Sequence, residues 1–282
     1  MAALGGASRL AGMPADALLD LAVDAARAAG ALLLDRFGGP QSGVDAKSSA
    51  TDMVSDADRD SERVLLDAIR AARPDDGLIA EESGHRPGTT GVVWVVDPLD
   101  GTTNYLYGIP AWSVSVACRD AEGGLAAVVH DPSAAETFTA VCGGGARLNG
   151  DPIRTTELAD LPRSLIGTGF GYTPHRRTLQ AAALAHVLPR VRDVRRAGSA
   201  ALDLAWVACG RLDGFYEAGI RDWDRAAGLL LVSEAGGETG ILDPGLDGAD
   251  CVVAAGAGLY DPLCALVRSA LSAAGAGADR LH

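Results

Sequence analysis

The run Val92-Val93-Trp94-Val95-Val96-Asp97-Pro98-Leu99-Asp100-Gly101-Thr102-Thr103-Asn104 constrains this chain more than any other stretch. Four valines around one tryptophan spell a strand covered on both faces, as in a layered α/β protein. Asp97 stands at its C-terminal end, where ligands bind in open α/β sheets. Pro98 cannot continue a central ladder, so the strand is expected to stop there. Asp97 and Asp100 then lie three residues apart on a turn stiffened by Pro98, with the Leu99 carbonyl between them. Such an oxygen-only pocket is the kind Mg²⁺ prefers. Gly101, Thr102, Thr103 and Asn104 follow at once, with backbone N–H groups and hydroxyls to offer an anion at a helix N-terminus. Asp-Pro and Asp-Gly alone are ordinary turn dipeptides. The whole string is more specific, because it places a metal pocket and an anion cradle within a dozen residues.

A chain of 282 residues can bury a sizeable core. Hydrophobic residues make up 48% and charged residues 22%, the balance of a soluble globular protein. A formal net charge of -13 argues against broad nucleic-acid binding. It is compatible with a small anionic substrate, because a bound cation inverts the local field. The five cysteines (Cys118, Cys142, Cys209, Cys251, Cys264) are scattered and form no CxxC pair. They read as buried thiols of a reduced, cytoplasmic protein rather than a disulfide framework or zinc site. No apolar run is long enough to span a bilayer, and residues 1–13 do not form a signal peptide; they are expected to be a disordered leader. Of the 24 basic residues only Lys47 is a lysine, which singles it out.

Apolar residues from Leu18 to Leu33 recur at helical spacing, and Gly38-Gly39-Pro40 stops that helix. Residues 41–54 read as a polar connection. A second helix is expected from Ser55 or Asp56 to Pro74, a short strand over 77–80, and a Gly/Pro-rich turn over 84–91. From 110 to 154 the period falls to two, which predicts an antiparallel meander with hairpin signals at Gly143-Gly-Gly and Asn149-Gly150. Beyond Pro162 the pattern alternates. Strands are expected near 164–169, 193–196, 213–217, 238–242 and 251–255, with helices near 177–188, 199–210, 224–235 and 260–272. A soft boundary near 155–163 divides the chain into residues 14–160 and 161–282.

The remaining candidates each have a plain alternative. Glu81-Glu82-Ser83 follows an apolar strand, so a carboxylate there either completes a metal shell or is a solvated loop. Asp224 precedes a strongly apolar helix and reads as its N-cap or as a carboxylate reaching into a metal cleft. Lys47, Asp52, Ser55 and Asp58 lie at or beside a helix start, where caps are common. Glu217 ends a strand and either receives a substrate hydroxyl or is exposed. No histidine has a partner at metal-ligand spacing. Neither a GxSxG elbow nor a GxxxxGK loop is present, which leaves serine-hydrolase and nucleotide-triphosphatase chemistry without support.

Together these pieces resemble the inositol monophosphatase family of Mg²⁺-dependent phosphatases. The resemblance rests on Asp97-Pro-Leu-Asp100-Gly101-Thr102-Thr-Asn104-Tyr105 with Gly108-Ile-Pro110, and on Glu81-Glu82-Ser83. It rests also on Trp223-Asp224-Arg-Ala-Ala-Gly228, and on Lys47-Ser-Ser through Asp52 and Asp58. Ala80 stands where family members often carry glycine, one small residue for another. The resemblance implies an α/β fold, a layered α/β/α/β/α sandwich of the inositol monophosphatase and fructose-1,6-bisphosphatase type. It implies that Glu81, Asp97, the Leu99 carbonyl, Asp100 and Asp224 are metal ligands and that Gly101 and Thr102 cradle the phosphate. By the same resemblance Asp100, Ser199, Ala200 and Glu217 meet the alcohol part of the substrate. Glu81, Thr102 and Asp58 are the catalytic set, and Lys47 and Asp58 belong to a mobile loop over the metals.

The chemistry is coherent. A phosphate monoester dianion repels hydroxide, so charge neutralisation matters more than a covalent nucleophile, and metal ions can span nucleophile and leaving oxygen. The implied activity is Mg²⁺-dependent hydrolysis of inositol 1-phosphate or a similar small sugar or polyol phosphate, by a homodimer that engages no membrane. Relatives acting on histidinol phosphate, fructose 1,6-bisphosphate or 3′-phosphoadenosine 5′-phosphate are the rivals. The last two need a second anion site, for which Arg176-Arg177 and Arg195-Arg196 are the candidates. A transcription-accessory role is the rival from another class.

Overall fold

The computed structural model describes residues 15–40, 42–47 and 53–278. The first apolar repeat forms α1 (Ala15–Arg36). An antiparallel pair, β1 (Asp45–Ala46) and β2 (Met53–Val54), precedes α2 (Asp56–Ala72), β3 (Gly77–Ala80), β4 (Gly84–Arg86) and β5 (Val93–Asp100). The short helix α3 (Thr102–Leu106) opens directly after β5. The meander is β6 (Ser113–Arg119), β7 (Gly124–Asp131), β8 (Glu136–Val141), β9 (Gly145–Leu148) and β10 (Asp151–Pro152). Then come β11 (Leu165–Thr168), α4 (Pro174–Val187), β12 (Asp193–Arg195), α5 (Ala200–Ala208) and β13 (Gly214–Ala218). The chain continues through α6 (Asp222–Glu234), β14 (Gly237–Leu246), β15 (Ala249–Gly256) and α7 (Ala257–Ala278).

The two-residue period of the strands sets the layers. An eight-stranded sheet runs β10-β9-β8-β7-β6-β5-β3-β4, and a five-stranded sheet runs β12-β11-β13-β15-β14. On the larger sheet Trp94, Val96, Val116 and Val128 pack against α1 and α2. Val95, Ala117, Ala127 and Val129 point the other way, onto α5 and α6. Phe215, Val252 and Ala254 of the smaller sheet meet that same helical layer from its far side. Tyr216, Val253 and Ala255 face α4 and α7. The order of layers is α/β/α/β/α. Both sheets are covered on both faces, which is why the valine run around Trp94 carries no polar alternation. One core cluster holds residues from before and after position 160, so the α5–α6 layer joins the two sheets.

Four local readings are corrected. Pro98 does not end its strand: β5 reaches Asp100, with Asp97 opposite Ser115 and Asp100 opposite Ser113. Three steps on β5 match two on β6, so Pro98 sits in a bulge, where its missing N–H costs no ladder bond. The 84–91 segment is not all turn, because β4 pairs antiparallel with β3. The 41–54 connection contains the β1–β2 pair. Helix α6 begins at Asp222, which makes Asp224 its third residue and Arg221 its N-cap. The expected leader and Asp52 lie outside the described residues.

Candidate active site

The bulge brings the first carboxylates together. Ser61 of α2 donates its hydroxyl to the Pro98 carbonyl at 2.7 Å and pins the bend. Asp97, 1% exposed, accepts the Leu99 N–H at 3.0 Å. Asp100 spends one oxygen on α5, accepting the Ser199 hydroxyl at 2.6 Å and the Ala201 N–H at 2.7 Å. From the far side Asp224 enters on the first turn of α6, oriented by the Arg221 N–H at 2.5 Å. Asp97, Asp100 and Asp224 each place an oxygen within 4.8 Å of the others. Glu81 follows β3, the parallel neighbour of β5, and lines the same cleft of about 1090 Å³. Lys47 reaches over it, its Nζ 2.7 Å from Glu81 Oε1 and also bonded to Glu82.

The electrostatics match an unneutralised acidic pocket. Burial pushes Asp97 well above the usual carboxylate range, and Glu81, Asp100 and Asp224 push it further. Asp224 is raised well above that range too, by burial and then by Asp100. Burial lifts Asp100 to about 6 against the hydrogen bonds from Ser199 and Ala201. It lifts Glu81 to about 7, although Lys47 works against the shift. All the donors are carboxylate or carbonyl oxygens, a set that fits a hard divalent cation such as Mg²⁺. Asp97, Asp100, Asp224 and Glu81, with the Leu99 carbonyl, are the residues that would hold it. Such an ion supplies charge neutralisation and an acidified water.

Next to the trio, Gly101 has φ +97°, and a Cβ there would come within 3.0 Å of the Ala111 carbonyl oxygen. This tight left-handed turn starts α3, whose first N–H groups have no intrahelical acceptor. The Thr102 hydroxyl lies 2.9 Å from Asp58 Oδ1 and 3.1 Å from the Leu99 carbonyl oxygen. Asp58 is fully buried, and its other oxygen accepts both the N–H and the hydroxyl of Ser55 in a capping box. It therefore lies behind Thr102, which lines the cleft.

At the opposite end Ser199 caps α5 and Ala200 lines the cleft. Glu217 projects from β13 towards Gly169, where a Cβ would stand 2.1 Å from its Oε2. Burial raises Glu217 to about 8, with Arg196 opposing. Asp203, missing from the sequence-derived set, also lines this end; it is 1% exposed, and among the described residues its Oδ1 has no hydrogen-bond partner. The available signal was one acid inside the otherwise apolar Ala200-Ala-Leu-Asp203-Leu-Ala-Trp-Val-Ala.

Comparison with known proteins decides what this cleft belongs to. The inositol monophosphatase family model matches residues 15–272. The chain belongs to the inositol monophosphatase family. An inositol-1-monophosphatase of Mycobacterium bovis is 44% identical over 245 residues, covering 83% of this chain and 84% of the relative. The Nus factor SuhB of Escherichia coli is also 44% identical, over 222 residues, covering 78% and 83%. The crystal structure of the extragenic suppressor protein suhB from Bartonella henselae superposes with a TM-score of 0.82 at 36% identity, covering 90% of this chain and 98% of that one. The fold is that of the inositol monophosphatase family. Its members make the acidic cleft between two sheets readable as a phosphatase site, and among the described residues no helix is long and apolar enough to cross a membrane.

Proposed function

We propose that this chain hydrolyses a small phosphorylated polyol, inositol 1-phosphate or a close analogue, with Mg²⁺ held by Glu81, Asp97, the Leu99 carbonyl, Asp100 and Asp224. The observation that carries the reading is the meeting of Asp97, Asp100 and Asp224 within 4.8 Å beside the glycine turn that opens α3. Gly101 and Thr102 receive the phosphate. The Thr102 hydroxyl, backed by Asp58, and the Glu81 carboxylate orient the attacking water. Glu217, Asp100, Ser199 and Ala200 surround the alcohol portion, the carboxylates accepting its hydroxyls. Lys47 closes the open side of the carboxylate cluster. Cytoplasmic location and a homodimer are part of the same proposal, and solution scattering tests the dimer. Phosphate release from inositol 1-phosphate should require Mg²⁺ and vanish with a chelator; release undiminished by chelation would sink the reading.

The Escherichia coli relative, named as a Nus factor, supports a second reading in which the family fold serves a transcription complex. Co-purification with polymerase components, by a protein that releases no phosphate from any polyol ester, would favour it over the first.

A further inference from the structure

One face of β6 carries polar side chains that are neither ligands nor substrate contacts. Alternate residues of a strand share a face. Val114, Val116 and Cys118 pack towards α1 and α2. Ser113, Ser115, Ala117 and Arg119 therefore face the α5–α6 layer, into which Ala117 is packed. Three of these four are polar, and Ser113 and Ser115 are 0% and 1% exposed. A buried hydroxyl costs free energy unless it has a partner, so the partners show what these serines hold.

Each serine stands beside one carboxylate of the cluster and reaches the element that carries its neighbour. Ser113 is opposite Asp100 in the ladder, and its hydroxyl lies 3.2 Å from that of Ser199, which itself donates to Asp100. Ser115 is opposite Asp97, and its hydroxyl donates to the Trp223 carbonyl at 3.2 Å, one residue before Asp224. Further along the same face Arg119 Nη2 donates to Asp222 Oδ2 at 2.9 Å. The other Asp222 oxygen accepts from Arg225 Nη2 at 2.9 Å. Thus β6 grips the first turn of α6 at two points. Asp97 and Asp224 are far apart in sequence, so their separation depends on what bridges them. Ser115 does so directly: its backbone pairs with Asp97, and its side chain holds the residue before Asp224.

We propose that Ser115, supported by the Arg119–Asp222 pair, is a positioning residue that fixes the separation of Asp97 and Asp224 and so makes the cluster selective for Mg²⁺ over a larger divalent cation. This rests on the metal assignment of the phosphatase reading above and concerns its selectivity. Mg²⁺ demands near-ideal octahedral geometry, whereas Ca²⁺ accepts irregular shells with longer bonds. A carboxylate cluster free to widen therefore loses Mg²⁺ affinity first. Arg119 and Asp222 are each about a third exposed, so their pair contributes less than the buried serine.

The test is the ratio of calorimetric Kd values for Mg²⁺ and Ca²⁺, measured on the full chain. Ser115→Ala should weaken Mg²⁺ binding by roughly tenfold or more, the size expected when a group behind a metal ligand is removed. It should weaken Ca²⁺ binding by clearly less, so that the preference for Mg²⁺ shrinks. Arg119→Gln should shift the ratio the same way by a smaller factor, and Arg119→Lys should restore part of it. If Ser115→Ala does not fold, the Arg119 variants decide. Val116→Ala is the control: it leaves a cavity on the opposite face of β6 and should lower the melting temperature with the ratio unmoved. A ratio that the folded Ser115 and Arg119 variants leave unchanged, or that Val116→Ala moves as far, overturns the positioning role. Uptake of neither ion by the unmodified protein overturns the metal assignment itself, whereas uptake with an unmoved ratio overturns the positioning role alone.

Discussion

Asp100 is committed to α5 through one oxygen, and that commitment makes its charge separable from its packing. In Asp100→Asn the amide oxygen can still accept from Ser199 and Ala201, so α5 keeps its anchor while a negative charge leaves the trio. Turnover should fall by roughly a hundredfold or more, in line with the loss of one preorganised electrostatic group. Melting temperature should hold or rise, because repulsion around Asp97 is relieved. Phosphate release and thermal unfolding on one preparation check both halves, and a fully active Asp100→Asn protein contradicts the metal assignment. Thr102 poses a different problem, since its hydroxyl is one of the donors that satisfy the fully buried Asp58. Thr102→Val removes that donor and should cost about 1–3 kcal/mol of stability, the price of an unsatisfied buried acceptor, as well as activity. Thr102→Ser keeps the donor and should restore most of both, read by urea unfolding and by rate.

Two junctions show how elements, rather than single residues, build the cleft. At the β5–α3 junction the chain leaves the sheet through a bulge and enters a helix through Gly101. Gly101→Ala meets a left-handed φ and a carbonyl oxygen at 3.0 Å, so it should cost about 1–2 kcal/mol or more and pull Thr102 out of line. Denaturant unfolding and a raised KM are the readouts. At the start of α6, Asp224 is the third helical residue and bonds back to the Arg221 N–H. Asp224→Asn retains that acceptor, so stability should barely move if capping were its whole role, whereas activity and Mg²⁺ affinity should collapse if it ligates. These junctions are also where sequence reasoning was least exact. Pro98 reads as a strand end because a proline cannot serve a regular ladder, but a bulge needs a long-range partner, Ser113 to Ser115, that local pattern does not reveal. The start of α6 was placed two residues late because Arg221 is no standard cap, whereas Asp224 is chemically the obvious one. By contrast α1, α2 and the meander were legible, since each presents a single period over many residues.

Across the whole molecule, the layer order was implied by family resemblance and by the double coverage of the valine strand. The joining of the two sheets by α5 and α6 follows from tertiary packing of small residues such as Ala201, Ala205 and Ala227, whose pattern has no strong period. The carboxylates that meet in the cleft, Asp97, Asp100 and Asp224, were legible as candidates because each sits in a contiguous motif. Asp203 was not, because its place in the cleft depends on strands and helices distant in sequence. That assembly concentrates acids whose proton affinities are all raised: Asp100 to about 6, Glu81 to about 7 and Glu217 to about 8. Unfolded carboxyls release their protons near pH 4, so between about pH 5 and 8 the folded chain holds protons that the unfolded chain has lost. Linkage then requires the metal-free protein to lose stability as pH rises through that window. Glu217→Gln should flatten the upper part of the slope, because that group no longer ionises. Mg²⁺ acts in the opposite sense: binding only the folded state, it adds about 2.7 kcal/mol at a hundredfold excess over Kd, and it competes best where the carboxyls are deprotonated. Melting temperatures from pH 5 to 8 should therefore fall in chelator and stay flatter with Mg²⁺, the two curves diverging towards pH 8. Parallel curves would mean that the raised acids and the cation do not share one site.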